Sequence, residues 1–477
     1  MTTEQQLPKG WKIERLGDVI DIQGGSQPPK SEFIYEPMEG YIQLLQIRDF
    51  GENGIPTFVP QNRVTKFCDK DDILIARYGA SLGRIVTGLA GAYNVALAKT
   101  IFDKNLLIKR FVYYLLQTQI FQVPLKMISR SAQNGFAKHE IAHIEIPVPP
   151  IETQQAIVNK IESLFDEIDE GIGRLKTAAQ QIQQYRQSLL KNAFNGELTK
   201  EWRSKHADTL PSENELLAQI QTTREQHHAQ QLADWQTAVS QWEQNGKEGK
   251  KPSKPSTLKK LESIEKLNEI ELTELPNGWF WERLGLMTLG VEYGTSAKSQ
   301  PEGKVPVLRM GNMQNGKIDW TDLVYSDNDE EIKQYSLKKG DVLFNRTNSP
   351  ELVGKTSIIE TDEKAIFAGY LIRINHLTEI TDGRYLTYFL NSMIAKKYGN
   401  FVKTDGVNQS NINGQKLINY PFVFCSLKEQ KEVADILEQK LTACDQLAAE
   451  LAKQLKQAEL LKQAVLKAAF SGSLLDK

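Results

Sequence analysis

Five segments of this chain occur twice, in the same order, and this duplication constrains the fold more than any other feature. Leu7-Pro8-Lys9-Gly10-Trp11 returns as Leu275-Pro276-Asn277-Gly278-Trp279, and Glu14-Arg15-Leu16-Gly17 as Glu282-Arg283-Leu284-Gly285, both 268 residues later. Asp72-Ile73-Leu74-Ile75-Ala76-Arg77 returns as Asp341-Val342-Leu343-Phe344-Asn345-Arg346 after 269, and Arg110-Phe111-Val112-Tyr113-Tyr114-Leu115 as Arg384-Tyr385-Leu386-Thr387-Tyr388-Phe389 after 274. Leu190-Lys191-Asn192-Ala193-Phe194-Asn195-Gly196 returns as Leu466-Lys467-Ala468-Ala469-Phe470-Ser471-Gly472 after 276. A spacing that drifts by only eight residues means two copies of one module with small loop differences. The length of 477 residues is too great for one compact domain and leaves room for both copies.

Each copy reads as a mixed α/β domain followed by one long helix. β-rich runs such as Ile73 to Ala76 and Ala98 to Phe102 are broken by Gly, Asn and Asp turns, and Pro147, Pro149 and Pro150 close the first domain. From Glu152 the apolar period becomes seven. Ile161, Ile168, Leu175, Ile182 and Leu189 form one row, and Ile157, Leu164, Gly171, Ala178 and Tyr185 the other. In the second copy the rows are Leu437, Cys444, Leu451, Ala458, Val465 and Val433, Lys440, Leu447, Gln454, Leu461. Five sustained heptads point to a helix pair, and connectivity makes it antiparallel: one helix leaves the first domain toward the second, and the other returns. About 43 residues give a rod of roughly 60 Å. The expected fold class is α+β, with pseudo-twofold symmetry. The expected boundaries are 1–150 for the first domain, 151–198 for its helix, 199–271 for an insertion, 272–425 for the second domain and 426–477 for the second helix.

The insertion has no counterpart in the repeat. Ser212-Glu213-Asn214-Glu215 has capping-box form, and Leu232, Trp235, Val239 and Trp242 follow at helical spacing, which predicts a helix with an apolar face. Gly246 to Lys260 carries six lysines and one glutamate, read as an exposed basic loop.

Composition narrows the function. There are 58 basic and 60 acidic residues, which disfavours a stand-alone nonspecific DNA coat. The balance is uneven: Pro60 to Glu140 holds 12 Lys and Arg against five acids, while 272–424 holds 17 basic and 18 acidic residues. Three widely spaced cysteines and no C-x-x-C pair leave no disulfide framework or cysteine-rich zinc site. No signal peptide or membrane span is expected, and a cytoplasmic location fits. His139-Glu140-Ile141-Ala142-His143 has the H-E-x-x-H form, but Pro147 denies it a long supporting helix and the second copy has Asn413 to Leu417 there, so no metal is expected. Gly354-Lys355-Thr356 lacks the earlier glycine of a phosphate loop. No nuclease, methyl-transfer or hydrolase constellation is evident, so the chain reads as a reader or scaffold, without a catalytic residue or a cofactor of its own.

The paired openings at Leu7 and Leu275, the run Ile146-Pro147-Val148-Pro149-Pro150-Ile151-Glu152-Thr153-Gln154-Gln155 and the two helix ends closely resemble the specificity subunit of type I restriction-modification systems, over nearly the whole chain. The resemblance implies two target recognition domains, each reading half of a bipartite, asymmetric sequence in double-stranded DNA. It also implies helices that space the domains and dock two methyltransferase subunits carrying S-adenosylmethionine, with restriction subunits using ATP and Mg. The alternatives are a coiled-coil scaffold or a stand-alone DNA-binding protein without such partners.

Base readers are expected in the loops after the two matched strands, because arginine is the commonest bidentate reader of guanine. In the first domain these are Arg77, Tyr78, Ser81 and Arg84, then Arg130, Asn134 and Lys138. In the second they are Arg346, Asn348, Ser349 and Lys355, then Lys403, Asn408, Gln409 and Asn411. The helix pair is expected to meet through Ile157, Ile161, Leu164, Ile168, Leu175, Ile182 and Leu189 on one side and Val433, Leu437, Leu447, Leu451, Leu461 and Val465 on the other.

Overall fold

In the computed structural model the described residues are 8–475, apart from 52–53, 132–134, 250, 256, 258–260, 262–263, 265–266 and 268–270; the side chains of 129–131 are also outside them. The fold is α+β. In the first domain an antiparallel sheet runs Ile20–Gly24, Leu97–Phe102, Leu74–Ala76, Ile85–Val86. In the second domain Thr288–Tyr293, Leu371–His376, Val342–Asn345 and Thr356–Ile358 repeat that order. The matched segments noted in the sequence supply the central strand of each sheet, whose side chains are buried on both faces. A second sheet in each domain includes one parallel pair, Leu44 beside Ala92 and Val307 beside Ile366.

Each domain closes on itself by pairing its first strand with its last. Lys12–Arg15 lies antiparallel to Glu145–Val148, and Phe280–Arg283 to Pro421–Phe424. Pro421–Phe424 is thus the exit strand of the second domain although it lacks the prolines of the first, and all four of its residues are buried. A buried glutamine then fixes the base of each long helix. Gln154 donates to the carbonyls of Leu106 and Pro149 and accepts from the Ile108 N–H; Gln430 donates to those of Ile380 and Cys425 and accepts from the Asp382 N–H. Both are fully buried, so every bond they make replaces one to water.

The long helices are Ile151–Phe194 and Leu427–Phe470, each of 44 residues and about 66 Å. The first ends at Phe194, four residues before the expected boundary at 198, because Asn195-Gly196 turns the chain.

The chain divides into two compact units that cross the repeat: 1–178 with 450–477, and 179–449. In the first unit the end of the second helix packs on the first domain. Val465, Leu466, Ala469 and Phe470 join a core with Phe111, Leu115, Ile157 and Ile161, and Phe470 lies 4.9 Å from the Phe111 ring. In the second unit the end of the first helix packs on the second domain, with Phe194 fully buried, 5.3 Å from Tyr385 and 5.1 Å from Phe389. The glycine that stops each helix has a left-handed φ, +80° at Gly196 and +82° at Gly472. A Cβ there would lie 2.5 Å from Pro276 and 2.2 Å from Pro8 respectively, so only glycine lets the helix end close on the opening proline. The two motifs that opened and closed the repeat therefore meet, each with the other copy's partner.

Within the second unit the helices run antiparallel: Arg186 pairs with Asp445, while Arg203, beyond the end of the first helix, pairs with Glu429. In the first unit Lys462 pairs with Asp169 at 2.5 Å and lies over the Phe165 ring. Two positions of the expected seam are corrected. Leu447 and Leu461 are 57% and 52% exposed. The covered row lies one residue later, through Leu441, Ala448, Leu455 and Lys462, beside the expected row Leu437, Cys444, Leu451, Ala458 and Val465. Leucines at both the third and fourth steps made the two phases look alike. The same one-residue shift excludes Tyr185, which is exposed, in favour of Arg186.

The insertion forms Lys200–Lys205 and a 32-residue helix, Glu213–Gln244. Ser212 accepts from the Glu215 N–H while Glu215 accepts from the Ser212 N–H at 2.8 Å, the reciprocal cap expected from the sequence. Leu216 and Ile220 are buried in the core of the second domain. Of the lysine-rich stretch, 250, 256 and 258–260 lie outside the described residues; in its described part the Trp235 and Trp242 indoles donate to the Pro252 and Gly249 carbonyls, and Lys254 and Lys251 lie over those rings.

Candidate nucleic-acid interface

The strand Leu74–Ala76 delivers Arg77 to the rim of the first domain. There the guanidinium lies 5.1 Å from the centre of the Tyr78 ring and 6.0 Å from that of Phe136, and donates to the Phe136 carbonyl at 3.3 Å. Gly135 fits so closely that an added Cβ would stand 2.1 Å from the Arg77 carbonyl oxygen. The loop after the strand and the loop before Lys138 are thus one surface. Tyr78 is exposed, Ser81 ends a short 3-10 turn at Gly79–Ser81, and Arg84 donates to the Phe50 carbonyl at 2.8 Å. Lys138 pairs with Asp21 at 2.5 Å, and that bond holds the Asp21 carboxyl below its usual range. Asn134 lies outside the described residues. Arg130 lies within the helix Gln119–Ser131, and its side chain is outside them too.

The second domain repeats the arrangement with different partners. Val342–Asn345 delivers Arg346, which lies 4.8 Å from the centre of the Tyr293 ring and donates to the Gly369 carbonyl at 3.4 Å. The buried Nε of Arg346 has no hydrogen-bond partner among the described residues. Thr347–Asn348 pairs with Ser410–Asn411, which pairs with Thr404–Asp405, so a three-stranded ribbon ties the two expected loops together. Asn411 donates to the Thr347 hydroxyl at 2.7 Å, Lys403 to the Pro350 carbonyl at 3.3 Å, and Asn348 accepts from the Ser349 N–H. Asn408 and Gln409 stand exposed at the ribbon tip, while Lys355 is half-buried behind it.

Sequence reasoning missed Tyr293 and Phe136, the aromatic platforms of the two arginines. The register exposes an exchange: Gly24 lies opposite Ala98, and Tyr293 opposite the equivalent Ile372. A side chain at Gly24 would collide with Arg77, 2.7 Å from its Nη1, whereas at the same place in the second domain the Tyr293 ring supports Arg346. Also missed is a polar cleft of about 760 Å³ beside the first loop, where Gln122 and Lys126 join Ser81 and Arg84. The helix Lys138–Ile141 ends before His143, so His139 and His143 do not share a helical turn. Among the described residues there is no cluster of histidine, cysteine and carboxylates suited to a metal, and no helix long and apolar enough to cross a membrane.

Two polar rims, each built from one arginine-bearing strand end and one later loop, now stand on two copies of a single fold. The family model for the type I restriction modification DNA specificity domain matches 8–176 and 293–457. The chain belongs to this family. Over 98% of its length it is 24% identical to the type I restriction enzyme EcoKI specificity subunit of Escherichia coli K12, covering 90% of that protein. It is 21% identical to the StySPI specificity subunit of Salmonella potsdam with the same coverages. Among solved structures, it aligns over 98% of its length with 99% of a chain from a study of assembly and conformational transition of the type I R-M system, at a TM-score of 0.66 and 16% identity. The HsdS subunit from Thermoanaerobacter tengcongensis aligns over 98% of both chains at 0.51 and 17% identity. Both solved chains share its fold.

Proposed function

We propose that this chain is the DNA-reading subunit of a type I restriction-modification complex, with each domain reading one half of a two-part site through its arginine-bearing rim. The observation that carries the reading is the equivalence of the rims: one fold, one strand end, one pair of loops, with different side chains in each copy. Arg77 and Arg346 are held over aromatic rings, which fixes their guanidinium planes for bidentate contact with guanine. Chemistry belongs to partners: two methyltransferase subunits binding S-adenosylmethionine, and restriction subunits using ATP with Mg. Leu447 in one unit and Leu460 and Leu461 in the other are exposed on the second helix and supply apolar surface for docking those subunits. The complex works in the cytoplasm. The test is to map DNA methylation in cells producing this chain with its methyltransferase subunit. A two-part site with a fixed gap is expected; no new methylation, or a single continuous site, would sink the reading. Methyl transfer by the chain alone would contradict its non-catalytic role.

A further inference from the structure

The insertion helix does more than connect the copies. Its Arg224 lines a cavity of about 370 Å³ on the second domain, with Thr288, Val291, Tyr293, Asn413 and Gln415 among the other walls. The Arg224 Nε is buried without a hydrogen-bond partner, and no carboxylate pairs with the side chain among the described residues. Burial holds this guanidinium below its ordinary value with nothing to offset it. Even so, arginine does not give up its proton in proteins, so a half-buried guanidinium whose Nε is enclosed without a partner is a receptor for an anion.

The anion is identified by what else touches the cavity. Tyr293 is both a wall of the cavity and the ring beneath Arg346. Its hydroxyl accepts from the Gly414 N–H at 2.8 Å and so keeps its own proton to donate. Asn413 lies two residues after the ribbon strand Ser410–Asn411. The cavity and the rim of the second domain therefore share the Tyr293 side chain. We propose that Arg224 receives a backbone phosphate of the DNA whose bases the Arg346 rim reads, giving the second half-site a phosphate clamp that the first domain, without an insertion, does not have. This rests on the DNA-reading function above.

The test uses the full chain assembled with its methyltransferase subunits and a duplex carrying its methylated site, with affinity measured from 50 to 200 mM salt. Arg224→Gln should weaken binding to specific and scrambled duplexes alike and lower the slope of log affinity against log salt by about one. Across that salt range the deficit of the variant should therefore shrink about 4-fold. Arg224→Lys should restore the slope, which separates lost charge from a damaged fold. An unchanged slope in a folded Arg224→Gln complex would overturn the proposal while leaving the reading function intact. A wild-type complex that did not prefer its site over the scrambled duplex would overturn both. Stabilisation of the chain by inorganic phosphate that disappears in Arg224→Gln, with the DNA slope unchanged, would assign the cavity to a free anion and reject the DNA contact.

Discussion

In the first domain Arg77 rests on Tyr78 and Phe136, and Gly24 leaves space for it; in the second, Tyr293 occupies the place of Gly24 and itself carries Arg346. The strand, the rim and the arginine are shared, while the aromatic support comes from different elements, loops in the first domain and a strand end in the second. Attachment behaves differently. Arg110 pairs with Glu162 and Arg384 with Glu438, Gln154 and Gln430 make matching bonds, and Phe470 and Phe194 fill matching pockets. Positions that fasten a helix to a domain are constrained by a packed core and repeat almost unchanged. Positions on the rim have only to hold an arginine rigid, and the two copies do so in different ways.

The comparison can be broken most strongly at the fastenings. Phe194→Ala should destabilise the second unit by about 3–5 kcal/mol, and Phe470→Ala the first by a similar amount, because each empties a fully enclosed aromatic pocket. Unfolding followed by a probe in each domain should show each substitution acting on one unit first. A matched loss in both would mean that the units are not separate in stability.

Glu429 is a fastening without a twin. Nearly fully buried, it accepts from the Thr199 hydroxyl and Arg203 at 2.7 Å each and from the Trp279 indole at 2.8 Å, where the first copy has half-buried Thr153. Glu429→Ala should cost about 3 kcal/mol by leaving Arg203 uncompensated, while Thr153→Ala should change stability by less than about 0.5 kcal/mol. Equal effects in chemical denaturation would remove the distinction.

At the rims, Arg77→Ala should relax or weaken recognition of one half-site by about 1–3 kcal/mol, and Arg346→Ala the other half alone. Competition binding with duplexes altered in one half at a time checks this, and a change in neither half would reduce the arginine to a brace for its loop.

A smaller effect concerns acid. Asp72 is pushed up by burial, but its bonds to Lys99 and the Asp69 N–H and the charge of Lys109 outweigh that and leave its carboxyl below the usual range. Its stabilisation is therefore present above the unfolded carboxyl range and is lost as pH falls through the lowered folded value. Asp72→Asn should destabilise the first domain by about 1 kcal/mol near neutrality and flatten its acid limb. Thermal melts between pH 3 and 7 would read this, and parallel wild-type and variant profiles would reject it.

The duplication, the central strands, the capped insertion helix and the long helices were legible because each is a local pattern repeated or bounded by strong signals. The seam phase was not. Leucine at 447 and 461 argued for one phase, and only packing shows that Ala448 and Lys462 occupy the covered row. The arginines at the strand ends were also legible, as were the polar loops after them. Their aromatic supports were not, since Phe136 lies 59 residues from Arg77 and Tyr293 lies 53 residues before Arg346. Arg224 carries no sequence signal of its own, because its partial burial depends on the surface of a domain that begins some fifty residues later.

Replacing residues 272–424 with the corresponding domain of a relative, and mapping methylation in cells that also produce the methyltransferase subunit, tests most directly whether two copies of one fold read separately. The account predicts that one half of the methylated sequence changes while the other half stays as it was. A change in both halves together, or in neither, would contradict it.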